Sequence, residues 1–258
     1  MDSDDVLHIL VKDLTGTVPD IELYDNEGNV EDTYPVYANS QYGVLYNWYA
    51  AADVRNIASV GWHVPTKANF ETLMTYLDPG GTGSVNDAGG YLKEMGTDYW
   101  AAPNTGATNT TNFNGRGAGF RFHTGGFSNI KWNLRFWNYE EEVLTHAYVS
   151  LLMYNVVIFY TTTLGDIKDS LKQYGYSIRL IKDSTTLTHG QTSTYTGNDG
   201  KVYATIAIGN PAQEFLSENL VETLYRNLDA IPEVIGNAAW AALVTGAWCY
   251  YDNDPNNM

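Results

Sequence analysis

The clearest hydrophobic periodicity in the chain lies just after residue 66, where apolar side chains recur every three or four positions. These positions are Phe70, Leu73, Met74 and Leu77. The spacing predicts an amphipathic helix with one buried face. Thr66 can cap its first turn, and the Asp-Pro-Gly-Gly run at 78–81 predicts its end.

Elsewhere the pattern favours strands. Residues 147–154 and 156–160 are rich in β-branched and aromatic side chains, and 201–209 alternate between polar and apolar. A strand is also predicted over 174–183, and the apolar run at 44–49 is typical of either a strand or a short helix. Residues 80–130 are rich in Gly, Asn and Thr, which predicts long irregular loops.

Near the C-terminus, Asn237 is predicted to cap a second helix that runs through Trp240 and Leu243 and ends by Gly246.

The first 41 residues carry weaker strand signals. Leu7, Ile9 and Val11 alternate, and Ile21 and Leu23 precede a turn-like Asp-Asn-Glu-Gly at 25–28. We predict that residues 1–41 form an arm for oligomerisation, or for docking on the main body. The alternative is a poorly ordered leader.

Charge narrows the classes of partner. The net charge is −16 and the pI is about 4.5, so phosphate backbones are repelled and nucleic-acid binding is not expected. The sequence has no long apolar run, so membrane insertion is not expected either. The 20 Tyr and 7 Trp suit an exposed contact surface or a Tyr-rich β core, and both readings stay open.

Several longer motifs carry a family resemblance. They include YGVLYNWYAAADVRNIA from Tyr42, GWHVPT, YGYSIRLIKD, GKVYATIAIG, SENL and YYDND. Together they resemble the Fibrobacter succinogenes major paralogous domain, a relative of the formylglycine-generating enzyme and of C-type lectin folds. The resemblance implies an α+β, C-type lectin-like domain with small antiparallel sheets, two helices and long Gly/Asn-rich loops.

The order of the motifs departs from that family. The segment that normally precedes YGVLYNW lies here at the C-terminus, which implies a circularly permuted domain over 42–258. In it, 42–183 and 195–258 are joined by a Ser/Thr-rich linker at 184–194. Permutation is tolerated when the original ends lie close together. The alternative is that the C-terminal segment completes a neighbouring subunit by swapping.

The single cysteine, Cys249, bears on chemistry. Relatives often pair this position with a second cysteine, and here the partner position is Leu180. The resemblance therefore implies a buried, unpaired thiol, suited to assembly in a reducing cytosol. Enzymes of the formylglycine-generating type need reactive cysteines, and apolar burial would blunt this one, so no catalysis is expected.

A ligand-binding face is predicted where a lectin-like fold presents its ligand. Its residues are Trp132, Asn133, Arg135, Trp137, Asn138 and Tyr139, with Tyr148 nearby. Trp, Tyr, Arg and Asn are common in binding surfaces. The alternative is that Trp132 and Trp137 fill the core.

One segment is a candidate calcium site. Asp252, Asn253 and Asp254 provide the oxygen ligands that calcium prefers, although the EF-hand spacing is missing. The alternative is an Asx-rich turn. No other cofactor is expected.

We therefore expect a non-catalytic binding or structural module, most simply a bacteriophage virion protein that recognises a host-surface glycan or protein. It would be a fibre, decoration or receptor-binding component and would contact other virion proteins, as a homo-oligomer with a trimer favoured. The acidic N-terminus lacks the basic flank of a signal peptide, in keeping with a virion location. Alternatives are a secreted bacterial adhesin at the cell surface and an enzyme of the formylglycine-generating type.

Overall fold

The structure is a computed structural model that describes residues 8–9, 21–24, 30–34, 41–161 and 171–258. It is a mixed α+β fold built mostly from strands in small, largely antiparallel sheets, which confirms the expected class at that level. None of its helices has the length and apolarity needed to cross a lipid bilayer, within the parts of the chain just given. The helices there are α1 (Trp48–Ala51), α2 (Lys67–Leu77), α3 (Ala88–Leu92) and α4 (Asn237–Ala241).

The strands form four sheets. In chain order they are β1 (His8–Ile9), β2 (Ile21–Tyr24), β3 (Val30–Tyr34), β4 (Leu45–Tyr46), β5 (Trp62–His63), β6 (Ala118–Arg121), β7 (Phe127–Ile130), β8 (Asn133–Val143), β9 (His146–Met153), β10 (Phe159–Tyr160), β11 (Ile181–Lys182), β12 (Thr192–Thr196), β13 (Val202–Gly209), β14 (Ala212–Leu216) and β15 (Trp248–Cys249). The sheet orders are β1-β2-β3, β10-β9-β8-β6-β7, β12-β13-β14-β11-β5 and β15-β4.

Helix α2 has the predicted position and cap. The Thr66 hydroxyl accepts from the Asn69 backbone N at 3.1 Å, and the Asn69 side chain accepts from the Thr66 backbone N at 2.8 Å. This reciprocal pair satisfies amides that the first turn leaves unpaired. The buried face contains Phe70, Leu73 and Met74, as the periodicity predicts.

The run at 44–49 contains both structures that its pattern allows. β4 is followed at once by α1, and Asn47 between them caps the helix by accepting from the Ala50 backbone N at 3.1 Å. The same Asn47 oxygen accepts from the Ala247 backbone N at 3.0 Å. Its amide nitrogen donates to the Thr245 carbonyl at 2.8 Å. One side chain thus joins two segments that lie about 200 residues apart in sequence.

Three element predictions are wrong in detail. Residues 80–130, predicted to be irregular loops, contain α3, β6 and β7 as well as loops. Helix α4 is capped by Gly236 and ends at Ala241, and the Asn237 side chain accepts from Arg121 at 3.3 Å. The predicted strand at 174–183 contains only β11, because Gly175, Tyr176 and Ser177 each bridge to a different segment.

The C-terminal segment is built into the same domain as residues 42–183. β15 pairs with β4, and β14 lies between β13 and β11. The Gln41 backbone N donates to the Met258 carbonyl at 2.6 Å, so the beginning of the domain meets its end. Gly43 lies at the same junction with φ +76°, and a Cβ there would lie 2.5 Å from the Asn219 Cβ, so only glycine fits.

The hydrophobic core draws on both pieces. Phe70 of α2 stacks on Phe136 of β8 with centroids 5.7 Å apart and on Phe215 of β14 at 6.1 Å. It meets Phe159 of β10 edge-on at 5.5 Å. All four rings are fully buried. Neither piece has this core by itself.

The predicted linker at 184–194 is attached to a sheet. Its last residues belong to β12, and the Gly190 backbone N donates to the Ala207 carbonyl at 2.8 Å. The Ala207 backbone N in turn donates to the Gln191 carbonyl at 2.9 Å. The segment therefore forms part of a surface whose position is fixed by β13.

In the N-terminal segment, β1, β2 and β3 form a three-stranded antiparallel sheet. Ile21 and Leu23 lie in β2, as predicted, and Ile9 lies in β1. Leu7, Val11 and the predicted turn at 25–28 lie outside the described residues. The docking role of the arm stays a prediction.

Candidate ligand-binding face

Most residues of the predicted ligand-binding face are buried, and only a few are exposed to solvent. Residues 133–138 of β8 are buried without interruption. Both faces of β8 are covered, since Phe136 packs on Phe70 of α2 and the next residue, Trp137, packs on Tyr176. Successive side chains are therefore enclosed in turn. The expectation that Asn133, Arg135, Trp137 and Asn138 line an exposed face is therefore corrected.

These buried residues have structural partners. The Trp137 ring is 0% exposed, and its Nε1 donates to the Tyr46 carbonyl at 2.7 Å. Arg135 donates to the Tyr176 hydroxyl at 3.0 Å. The Asn138 side chain accepts from the Ser150 hydroxyl at 3.1 Å. For Trp137, the core-filling alternative describes what is found.

Trp132 is exposed, with 54% of its surface accessible. Its ring packs on Tyr154 with centroids 5.1 Å apart, and the Tyr154 backbone N donates to the Trp132 carbonyl at 3.0 Å. We call Trp132, Tyr154 and the adjoining Lys131 the Trp132 face. It contains one of the seven predicted residues.

The backbone under the Trp132 face is well anchored. Lys131 has φ +63°, and its backbone N donates to the Gly117 carbonyl at 2.6 Å. Its carbonyl accepts from the Ala101 backbone N at 2.7 Å. The Trp132 backbone N donates to the Asn129 carbonyl at 2.9 Å. A fixed backbone lowers the entropy lost when an exposed aromatic side chain binds a partner.

Tyr139 and Tyr148 lie at the other end of the β8–β9 pair. Tyr139 is 52% exposed and its backbone N donates to the Pro65 carbonyl at 2.9 Å. The Tyr148 ring lies under the Lys67 ammonium, 5.2 Å from its centroid. Seven strand residues span about 23 Å at 3.3 Å each, so Tyr139 and Trp132 do not form one contact surface.

The candidate calcium segment folds as a turn. The Asp254 carboxylate accepts from the Asn256 backbone N at 2.9 Å and from its side-chain amide at 2.8 Å. The Asn253 amide donates to the Ile235 carbonyl at 3.2 Å. No cluster of three or more His, Cys, Asp or Glu suited to a metal occurs in the part of the chain that the structure describes. The observed contacts are those of the Asx-rich turn, and calcium binding by Asp252, Asn253 and Asp254 stays a prediction.

Cys249 is fully buried in β15. Burial raises the pKa of its thiol to about 12, against a smaller opposing effect of the nearby Arg121 guanidinium. At neutral pH the nucleophilic thiolate is therefore scarce. The environment does not favour thiol chemistry at this position.

Glu222 is a buried acid that the sequence did not single out. Its side chain is fully enclosed, and its carboxylate accepts from the Asn198 backbone N at 2.6 Å and the Leu224 backbone N at 2.9 Å. Burial first, and then the neighbouring Asp199 charge, raise the pKa of Glu222 to about 7. These two effects outweigh the hydrogen bonds that favour the charged form.

This raised pKa predicts a pH-dependent stability. The pKa of Glu222 rises from 4.5 in the unfolded chain to about 7 in the folded protein, so the folded protein binds the proton more tightly. The stability gained from this proton is fully present below pH 4.5 and is lost as pH rises through 7. We expect Glu222 to lower the free energy of unfolding, measured by urea titration, by up to about 3 kcal/mol between about pH 5 and pH 8.

Glu222→Gln should flatten that slope, leaving the part due to Glu218, whose pKa burial also raises to about 7. Glu71→Gln on the surface of α2 is the matched control and should keep the full slope. An unchanged slope in Glu222→Gln would contradict the assignment.

Comparison with known proteins adds one finding. Residues 12–182 match the family described as the Fibrobacter succinogenes major domain. The matched range begins inside the N-terminal arm and does not include 195–258. No curated protein and no solved structure matches the chain significantly.

Proposed function

Because the chain belongs to the Fibrobacter succinogenes major domain family, we propose that it is a non-catalytic binding module with a C-type lectin-like fold. The Trp132 face would be its contact surface, recognising a host-surface glycan or protein. The observation that carries the proposal is an exposed Trp132, packed on Tyr154 and anchored on a fixed turn. Exposed aromatic side chains with fixed backbones are the usual centres of binding energy.

The proposed domain is a circular permutant of the family module. In its support, β15 pairs with β4, and Gln41 is hydrogen-bonded to Met258 within one chain. Long loops between α3 and β6 are held by small sheets, which is the organisation that a lectin-like fold implies.

The proposed setting is a bacteriophage virion, as a fibre, decoration or receptor-binding component. An unpaired buried Cys249, with Leu180 at the position where relatives carry its partner, suits assembly in a reducing cytosol. The strands of the N-terminal segment form a separate small sheet that would serve to attach the domain to other virion proteins or to build a homotrimer.

A secreted bacterial adhesin is the second candidate, because the Trp132 face would serve it equally well. Gene neighbourhood separates the two settings. Capsid and tail genes beside this one support the virion, whereas a precursor with a lipoprotein signal supports the adhesin. An enzyme of the formylglycine-generating type is disfavoured by the buried thiol with its raised pKa.

The test of the proposed function is binding to cells. Fluorescently labelled protein is titrated onto a panel of intact bacteria and read by flow cytometry. We expect saturable labelling of at least one strain, and an affinity loss of about tenfold or more in Trp132→Ala, the effect typical of an aromatic hot spot.

Ile235→Ala removes a side chain of similar exposure from a different segment and should leave the labelling unchanged. Trp132→Ala should also unfold at the wild-type temperature, because the ring is mostly in solvent. Saturable labelling that survives in Trp132→Ala would remove the Trp132 face as the contact surface. Absence of labelling on every strain would count against the binding function itself.

A further inference from the structure

A groove with a cavity volume of about 450 Å³ lies away from the Trp132 face, between α2 and the turn that joins β13 to β14. Glu71, Thr72, Thr75 and Tyr76 line it from the helix, and Asn210 and Gln213 line it from the turn. Its volume is within the range of ordinary small-molecule sites.

Helical geometry explains why polar groups collect on this wall. α2 buries Phe70, Leu73 and Met74 against the core. Residues at 68, 71, 72, 75 and 76 follow the same three- and four-residue spacing on the opposite side, so their side chains form one outward stripe. On the facing wall, Glu214 of β14 points into the core and the preceding Gln213 therefore points out.

Two side-chain amides and one hydroxyl in the groove are available to bind a ligand. The side chains of Thr75, Asn210 and Gln213 have no hydrogen-bond partner within the described residues. By contrast, the Thr72 hydroxyl donates to the Ala68 carbonyl at 2.9 Å. Each amide offers both donors and an acceptor, and the Thr75 hydroxyl offers one of each. Such a set matches neighbouring hydroxyl groups on one molecule.

Tyr76 gives the groove an oriented aromatic wall. Its ring packs against His189 with centroids 5.2 Å apart. His189 belongs to the 184–194 segment, and its Nδ1 accepts from the Gly209 backbone N at 3.4 Å. Hydrogen bonds of Gly190 and Gln191 with Ala207 hold that segment on β13. The ring is therefore positioned before any ligand arrives.

We propose that this groove binds a short neutral oligosaccharide. A sugar ring presents an apolar C–H face, which the Tyr76 ring can cover, and a rim of hydroxyls, which Asn210, Gln213 and Thr75 can hydrogen-bond. The Glu71 carboxylate, which lies 3.5 Å from the Lys67 ammonium, can accept hydrogen bonds from sugar hydroxyls. The net charge of −16 repels anionic sugars. A hydrocarbon ligand would leave the hydrogen-bonding groups on both walls unpaired.

The inference rests on the proposed binding function, since it names a ligand class for the module, but at a second location. The probes are defined tri- and tetrasaccharides of glucose, galactose, mannose and N-acetylglucosamine, with sialyllactose as the anionic comparison. Binding is measured on the full chain by saturation-transfer NMR and isothermal titration.

We expect at least one neutral probe to bind with a Kd below about 10 mM and sialyllactose not to bind. Tyr76→Ala and Gln213→Ala should each weaken the neutral probe by about tenfold or more. Tyr76→Phe keeps the ring and should stay within about threefold of wild type. Ile235→Ala is the control outside the groove and should bind normally. All four substitutions are at solvent-accessible side chains, and unchanged thermal unfolding verifies that each variant is folded.

Failure of every neutral probe to bind the wild-type chain would overturn the groove proposal. Saccharide binding that is unchanged in Tyr76→Ala would also overturn it. The same holds for saccharide binding that is lost in Trp132→Ala but kept in Tyr76→Ala. The two proposals fail separately. Cell labelling without saccharide binding defeats only the groove, whereas saccharide binding without cell labelling defeats only the cell-surface role of the Trp132 face.

Discussion

A chain limited to residues 41–183 should not fold, although it contains most of the range that matches the family. The missing residues 184–258 supply β12, β13, β14 and β15. β13 pairs with β12 and β14, β14 also pairs with β11, and β15 pairs with β4. The missing residues also supply much of the core. Their buried apolar side chains include Tyr195, Tyr203, Ile206, Ile208, Phe215, Leu216, Leu220 and Tyr225.

The size of the loss follows from burial. Enclosing one large apolar side chain stabilises a fold by about 1.5–3 kcal/mol. The net stability of a domain is only about 5–15 kcal/mol. Losing the eight buried side chains therefore costs about 12–24 kcal/mol, which is as large as the net stability of a domain or larger. Circular dichroism and amide NMR spectra of residues 41–183 should show no cooperative thermal transition and no dispersed signals.

Two other forms of the chain serve as controls for that truncation. Residues 41–258 lack only the N-terminal arm and should unfold cooperatively. A reordered chain that runs from 187 to 258 and then from 41 to 186 should fold to a similar stability, because Gln41 and Met258 are already hydrogen-bonded. A cooperative transition in 41–183 alone, or an unfolded reordered chain, would contradict the single-domain arrangement.

Arg179→Met should cost about 3–5 kcal/mol of folding free energy, because it leaves several buried acceptors without a donor, each at about 1–3 kcal/mol. The guanidinium is fully buried, and burial lowers its pKa to about 9. It donates to the Asn219 side chain at 2.8 Å and to the Leu216 carbonyl at 3.1 Å, and it also donates to the Phe113 carbonyl. Methionine fills similar space but leaves these buried acceptors without donors.

Urea unfolding at neutral pH measures the effect of Arg179→Met. The matched control is Arg55→Met, whose guanidinium is partly exposed and pairs with Asp53 at 2.9 Å and Asp229 at 3.2 Å. Exposed pairs contribute about 1 kcal/mol or less. If Arg179→Met lowered the free energy of unfolding no more than Arg55→Met does, the hydrogen bonds of Arg179 to Phe113, Leu216 and Asn219 would not stabilise the fold.

Local sequence signals predicted α2 well because its evidence is local. Thr66, Asn69 and the apolar spacing lie within one short stretch, and their contacts are made inside it. The same reasoning placed Trp137 and Asn138 on a binding face incorrectly, because the burial of β8 depends on distant segments such as those of Tyr46 and Tyr176, which pack on it. Composition identifies residues that suit a binding surface, whereas tertiary packing decides which of them reach solvent.

The groove, too, could not be predicted from local sequence. Tyr76 and Gln213 line one cavity but are separated by well over a hundred residues, and nothing in either neighbourhood suggests the other. Only the docking of α2 against β13 and β14 brings them together. The meeting of Gln41 and Met258 was foreseeable, because the family resemblance related the order of distant motifs.

The contact between Gln41 and Met258 has a mechanical consequence. A force that pulls Gln41 and Met258 apart acts first on the hydrogen bond between them, which we call the seam, and then on the two-residue pairing of β15 with β4. We expect these bonds to break one after another, because the load reaches β4 and β15 at the same end of their pairing. The domain would thus yield first at its seam while its interior, including the groove, keeps its shape.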